Sequence, residues 1–319
     1  MIDNDINTNI DISIIVAIYN HEKYIKQAIK GILAQKMDFN YEVLIGEDCS
    51  TDNSRKILQE LEPNLPPNYQ IFYREHNYGP LKNFMDLYGR SRGRYFIVLE
   101  GDDYWIYDKK LQSEYNFLET HSEYISVAHN TLVVDQNGST LNVNYPECKD
   151  YDYTFDHFLH GILPGQTTTK LTRNYYKFDI LKGADLNVGQ YPGDQREAFL
   201  LSVNGKVYCI QEKWSAYRLV TSGGSSFSAN YKYDYELELF FWTQLYEYLI
   251  KYYPNDKYKL QKIGERYFWC LFVGKLKMKK CVKKYEKVEY IKYIPNKVKL
   301  NIYILDNLFN TPFRKHRKK

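Results

Sequence analysis

The sequence predicts an α/β protein built on a doubly wound sheet, and three observations carry that prediction. Short β-branched apolar runs alternate with segments of helical spacing through the first hundred residues. These runs are apolar at nearly every position, the pattern of parallel strands covered on both faces. Two of them empty into acid, at Glu47-Asp48 and at Glu100-Gly101-Asp102-Asp103.

The elements follow in order. Ile12 to Ile18, "ISIIVAI", reads as the first buried strand. Tyr24, Ile25, Ala28, Ile29, Ile32 and Leu33 then share one face of a helix. "YEVLIGED" is the second strand, and Thr51 or Asp52 is the expected N-cap of the helix bearing Ile57, Leu58 and Leu61. "YQIFYRE" is the third strand, Leu81 to Tyr88 a short helix, and Tyr95 to Leu99 the fourth strand. In such sheets ligands bind beyond the carboxyl ends of the strands, where both acidic clusters fall.

The style then changes. "YISVAHNTLVVDQNGSTLNVNY" predicts two strands joined at Asn137-Gly138 by a tight hairpin turn. "ILPGQTTTKLTR" predicts a strand with a loop, and "YPGDQREAFLLSVNG" a helix from about Asp194 to Val203. "KVYCI" and "WSAYRLV" read as two short strands. Helical spacing runs from Tyr231 onward, with breaks expected at Pro254 and Pro295. The expected division is a main domain over residues 1–229, split into halves near residue 120, and a helical C-terminal region over 230–319.

Composition bounds the function. A chain of 319 residues suits one large domain plus an appendage. Its 33 tyrosines, twice the phenylalanine count, favour half-buried surfaces, because the ring packs while the hydroxyl stays wet. The five cysteines are far apart with no CxxC pair, which argues against zinc or a disulfide framework and for a reducing compartment. The polar, acidic start is wrong for a signal peptide, and no apolar run approaches the ~20 residues that span a bilayer. A cytoplasmic protein, soluble or peripheral on the inner membrane face, is expected. From Asn230 onward 21 basic residues face 9 acidic ones, a net of +12, so the front carries −8. That asymmetry favours an anionic partner for the back half.

The acids at 100–103 raise one another's proton affinity unless a cation neutralises them. Carboxylates are hard ligands that suit Mg²⁺ or Mn²⁺ with positions left for phosphates. The other reading is a strand-end turn whose acids cap a helix at Asp108. Asp48 is either an acceptor for a base or ribose, or part of an Asx-turn. His21, His76, His129 and His160 are unpaired in sequence and none is assigned to metal. The Gly79-Pro80 loop lacks the GxGxxG pattern of nicotinamide cofactor sites.

Taken together, "SIIVAIYNHEKYIKQAIKGILAQ", "YEVLIGEDCSTDNSRKIL" and "HNYGPLKNFMDLYGRSRGRYFIVLEGDDYW" resemble family 2 glycosyltransferases of the GT-A fold. The likeness is specific over Ser13 to Leu118, weaker to Ser226 and absent beyond. It implies a GT-A mixed sheet with a C-terminal helical extension. It implies that Ala17, Ile18 and Tyr19 line a nucleotide pocket and that Asp48 meets the base. Asp102 would be the metal-proximal acid of a DxD-type motif, with Gly101 and Asp103 in the same binding segment. Glu100, toward the ribose and diphosphate, stands where the family usually has Asp. "PGDQREAF" resembles the family's later acidic motif, which makes Asp194 the base of an inverting displacement; a helix N-cap is its alternative. Arg218 of "YRLVTSGG" is read as a diphosphate clamp or as an ordinary ion pair, and Val220 stands near the family's expected His.

The resulting expectation is an inverting, Mn²⁺- or Mg²⁺-dependent transfer of a sugar from a UDP-sugar to a glycan or lipid-linked acceptor. Loops Asp150 to His160 and Gly165 to Thr169 are the expected acceptor-side surfaces. "GKLKMKKCVKKY", with six lysines, and the closing "RKHRKK" are read as a membrane-facing segment or as a solvated face packed on the core or on a second subunit. No nucleic-acid signature is present. Two other functions stay open: a degenerate sugar-nucleotide-binding scaffold, and a nucleotidyltransferase, although "AIYNHEKY" lacks the glycines of a phosphate loop.

Overall fold

The computed structural model describes residues 9–220 and 234–278. The lysine run from residue 279, Pro295 and the closing basic run lie outside them, as does the start of helical spacing at Tyr231. Among the described residues no helix is long and apolar enough to cross a membrane.

The strands are β1 (Ile12–Ile18), β2 (Tyr41–Glu47), β3 (Tyr69–Tyr73), β4 (Tyr95–Glu100), β5 (Tyr104–Trp105), β6 (Tyr124–Val134), β7 (Asp152–Tyr153), β8 (Leu171–Arg173) and β9 (Lys206–Arg218). They form one sheet in the order β3-β2-β1-β4-β8-β6-β9-β5, with β7 on β9. β1 pairs in parallel with both β2 and β4, and β2 with β3. β8 runs antiparallel to β4 and β6, whereas β9 is parallel to β6. The helices of this unit are α1 (Ile25–Leu33), α2 (Ser54–Leu61), α3 (Pro80–Arg90), α4 (Lys110–Thr120), α5 (Phe155–Leu159), α6 (Tyr175–Phe178) and α7 (Gly193–Asn204).

The β1 sequence explains its central place. Ile12, Ile14, Ile15, Val16 and Ile18 are all buried, at ~1.5–3 kcal/mol for each side chain removed from water. Ile25, Ala28, Ile29 and Ile32 of α1 close one face of the sheet, and Leu111 and Leu118 of α4 join the same core.

Several expectations are corrected. α2 begins at Ser54, and Asp52 instead takes the amide hydrogens of both Ser54 (2.8 Å) and Glu22 (3.0 Å). The Asn-Gly turn forms, with Gly138 at φ +88°, but only an isolated bridge, Val134 to Thr140, follows it. The two short strands expected near the end of this unit are one long strand, β9, because the polar Gln211-Glu212-Lys213 stretch between them stays extended. The acids at 100–103 do not cap α4, which starts at Lys110, while Asp108 pairs with Lys36 at 2.5 Å.

A second unit comprises Asp185–Tyr191 and the described residues from Asp234 onward. It holds α8 (Tyr235–Tyr252) and α9 (Lys257–Met278). The Asp234 carboxylate caps α8 by accepting the amide hydrogens of Glu236 and Leu237, and Pro254 lies in the turn after it.

An ion pair is sealed in the core beneath β5. Lys110 Nζ donates to Glu114 Oε2 at 2.6 Å, with neither side chain exposed, and lies over the Trp105 ring. The other Glu114 oxygen faces His129 Nε2 at 3.8 Å, and neither atom has a hydrogen-bond partner. Burial pushes the Glu114 carboxyl up to about 7 against the pull of Lys110, and lowers the Lys110 ammonium. Removing one partner leaves a buried charge alone, so Glu114→Gln is expected to cost ~3–5 kcal/mol. The double variant Lys110→Met/Glu114→Leu is expected to recover most of that loss. Urea unfolding midpoints of the three proteins check both outcomes.

Candidate active site

β1 has β2 on one side and β4 on the other, so the chain reverses its direction of sheet growth between β1 and β4. A crevice opens beyond the carboxyl ends at such a point. The loop after β1 and the loop after β4 form its two lips, joined by the Gly101 amide donating to Ala17 O at 3.1 Å.

The β1 lip is stitched to the loop after β2. Asn20 N donates to Ser50 Oγ, His21 N to Ser54 Oγ, and Thr51 N to Asn20 Oδ1. Glu22 Oε2 accepts from both nitrogens of Asn53. Asn20 and Cys49 take left-handed φ values of 57° and 56° at the two bends. Ile18 was expected to line a nucleotide pocket, but its side chain is packed in the core. It contributes its carbonyl, which accepts the Asp48 amide at 2.9 Å. Ala17 and Tyr19 remain half-buried at this edge. Asp48 is buried, and its Oδ1 accepts the Tyr78 amide at 2.7 Å. Burial raises its carboxyl, and the Tyr78 and Gly79 amides pull the other way.

The β4 acids divide into open and closed. Asp103 is 1 % exposed. Its Oδ1 accepts the Arg218 amide at 2.8 Å and its Oδ2 accepts Gln166 Nε2 at 3.0 Å. It pins the loop and offers no oxygen to a ligand. Gln166 Nε2 also donates to Glu100 Oε2 at 3.1 Å, so one amide bridges two acids. Asp102 is the open one, since among the described residues its carboxylate accepts no hydrogen bond, and His21 Nε2 lies 3.8 Å from its Oδ2. Burial, then the Asp102 and Asp194 charges, push the Glu100 carboxyl up to about 8. Burial and the same Asp102 neighbour hold Asp103 well above the usual carboxylate range.

Arg218 does not reach into the crevice as a clamp. Its Nε donates to Asp102 O, one terminal nitrogen to Asp135 O and Gln136 O, and the other to Gln27 Oε1. The side chain is 2 % exposed, between the Tyr24 and Tyr104 rings. Nor is it a surface ion pair, because its acceptors are carbonyl oxygens of the chain itself. It holds the β4 lip in place.

Asp194 lies in the first turn of α7, inside the helix and not at its N-cap, which is Pro192. Its charge reaches Glu100, and its surroundings desolvate it, which raises its carboxyl while Lys170 opposes the rise. Lys170 Nζ pairs with Glu197 Oε2 at 3.2 Å, one turn along α7. Burial, then Asp194, raises the Tyr145 hydroxyl well above its ordinary range, so that ring also belongs to this wall. Gln166, Lys170 and Tyr145 carry no sequence signal of their own. The loop expected to face an acceptor, Gly165 to Thr169, is largely buried, with Thr168 and Thr169 fully enclosed.

Among the described residues no three His, Cys, Asp or Glu side chains gather as a metal cage. An open carboxylate beside a second one fits a hard cation that takes its other ligands from phosphates and water. Asp102, with Glu100 beside it, is the pair of this kind that the crevice offers.

Comparison with known proteins adds the lineage. Residues 13–172 match the family described as Glycosyl transferase family 2. An uncharacterised protein of Mycobacterium tuberculosis is 30% identical over 206 residues, which cover 65% of this chain and 58% of that one. TuaG of Bacillus subtilis, whose name marks it as a candidate teichuronic acid biosynthesis glycosyltransferase, is 29% identical over 67% of this chain and 81% of its own. The Bacillus subtilis minor teichoic acid biosynthesis protein GgaB is 30% identical over 70% of this chain and 24% of its own. Among solved structures, S. aureus TarS 1–349 in complex with UDP-GlcNAc superposes with a TM-score of 0.65 at 18% identity, covering 94% of this chain and 85% of that one. That likeness is one of fold, and with the sheet order above it makes this a GT-A architecture. With half its length, residues 13–172, matched to that family description, the chain belongs to glycosyl transferase family 2.

Proposed function

We propose that this chain is an inverting glycosyltransferase that moves a sugar from a nucleoside-diphosphate sugar, a UDP-sugar, to a hydroxyl of a cell-surface glycan or lipid-linked precursor. The observation that carries the reading is an open Asp102 at the crevice between β1 and β4, with Glu100 and Asp194 close by. The solved TarS complexes with UDP-GlcNAc and UDP, and the names of TuaG and GgaB, support the donor and the acceptor class.

In this reading Asp48 and the Tyr19 edge receive the nucleotide. Mn²⁺ or Mg²⁺ would be held by Asp102 with Glu100 beside it, and when bound it supplies charge neutralisation for the departing diphosphate. Asp194 accepts the proton of the acceptor hydroxyl as that oxygen bonds to the anomeric carbon from the face opposite the diphosphate. The glycosidic bond to the diphosphate breaks and its electron pair leaves with the nucleotide. A desolvated carboxylate with raised proton affinity suits the role of base. Gln166 holds Glu100 and Asp103 together through the amide they share.

Thermal-shift measurements test the donor. UDP with Mn²⁺ is expected to raise the melting temperature more than either alone and more than other nucleoside diphosphates. In Asp102→Asn the Mn²⁺-dependent part of the shift should vanish; equal shifts across nucleotides would overturn the reading. Asp194→Asn is expected to slow UDP release from UDP-GlcNAc about 10²- to 10⁴-fold while UDP binding stays at the wild-type level. Gln166→Leu leaves two crowded acids without their shared donor, and should lower stability by ~1–3 kcal/mol for each, read as a fall in the urea midpoint.

A further inference from the structure

We propose that His21 donates a hydrogen bond from Nε2 to the diphosphate of the bound nucleotide, as the β1-side partner of Asp102. The assignment rests on the nucleotide-sugar reading above and names a residue that neither the motif likeness nor the cation chemistry requires.

The geometry comes from both lips of the crevice. His21 follows β1 by three residues and Asp102 follows β4 by two, so they face each other where the sheet changes direction. His21 Nε2 is 3.8 Å from Asp102 Oδ2, and each side chain keeps about a seventh of its surface open, 14% and 15%. The ring lies on Gly101, where a Cβ would stand 2.6 Å from Nδ1 and 3.0 Å from Ile18 Cγ1. Glycine at 101 is therefore what lets the imidazole settle against the β4 lip. The backbone of His21 is fixed from behind, with its amide on Ser54 Oγ at 2.8 Å and its carbonyl accepting from Tyr24 and Ile25.

The two ring nitrogens have different surroundings. Nδ1 is buried with no hydrogen-bond partner. A proton there would bury a donor without an acceptor, so the ring hydrogen belongs on Nε2, which looks out past Asp102. At 3.8 Å that N–H is too far from the carboxylate to be spent on it. Among the described residues, Arg218 is used on carbonyls and Gln27, Gln166 on Glu100 and Asp103, and Lys170 on Glu197. An anion brought against the acids of β4 needs a donor from the opposite lip, and His21 is positioned to supply it.

Calorimetric titration with UDP in the presence of Mn²⁺, and with uridine, which lacks the phosphates, tests the assignment. His21→Leu fills the space over Gly101 without a donor and is expected to weaken UDP binding roughly ten- to hundredfold. Uridine binding should be unchanged. His21→Gln restores an N–H donor and should recover most of the lost affinity. Wild-type UDP affinity in His21→Leu overturns the proposal, as does an equal loss for uridine, or a failure of His21→Gln to recover. A wild-type protein that takes up no UDP at all removes the nucleotide reading itself, and the assignment with it, before any variant is compared.

Discussion

The site depends on a repulsion that is never fully relieved by the protein itself. Glu100, Asp102 and Asp103 sit within four residues at the mouth of a buried strand, where water is too scarce to screen them. Two groups from the far side of the sheet hold them together: the Gln166 side-chain amide and the Arg218 main-chain amide. The second half of the sheet brings those donors into place, because β8, antiparallel to both its neighbours, follows the Gln166 turn and β9, parallel to β6, ends at Arg218. The first half, β1 to β4, supplies the acids. The acids of the first half are thus held by donors that only the second half of the same sheet supplies.

The division between spent and unspent groups follows from that arrangement. Asp103, Arg218, Gln166 and Ile18 are internal parts of the scaffold, each satisfied by its own chain. Asp102 and the Nε2 edge of His21 are left over. A site with too many satisfied acids would bind no cation, and one with too few would not hold its shape. Asp194 adds the third element, a desolvated carboxylate from a separate helix, opposed by Lys170.

Much of the first half was legible because its strands are short continuous apolar runs, and β2 and β4 announce themselves a second time by the acids that end them. β1, β2 and β4 fall within a residue of their sequence-based bounds. The second half was harder to read because its signals are non-local. β9 reads as two strands on account of its polar centre, yet it runs on through a bulge against β6, where Ile210 lies opposite His129 and Lys213 opposite Asn130. Gln166 sits in a polar stretch that looks like surface, and only the folded sheet turns it toward Glu100. The sequence leaves Arg218 as clamp or ion pair, because its actual place in the scaffold depends on Asp135, Gln136 and Gln27, residues 82 to 191 positions away in the chain. His21 looked like any single histidine until Gly101, eighty positions later, supplied the floor beneath its ring.

The stitching of the Tyr19 to Glu22 loop onto the Cys49 to Ser54 loop has a consequence for how a ligand arrives. The bends at Asn20 and Cys49 are already made, and their cross-links are main-chain and short side-chain bonds with little freedom to lose. A nucleotide meeting this wall need not freeze a mobile segment, so less of its contact energy is consumed as ordering entropy. Encounter on this side should resemble a key entering a finished lock, and any adaptation that the proposed transfer requires must come from elsewhere around the crevice.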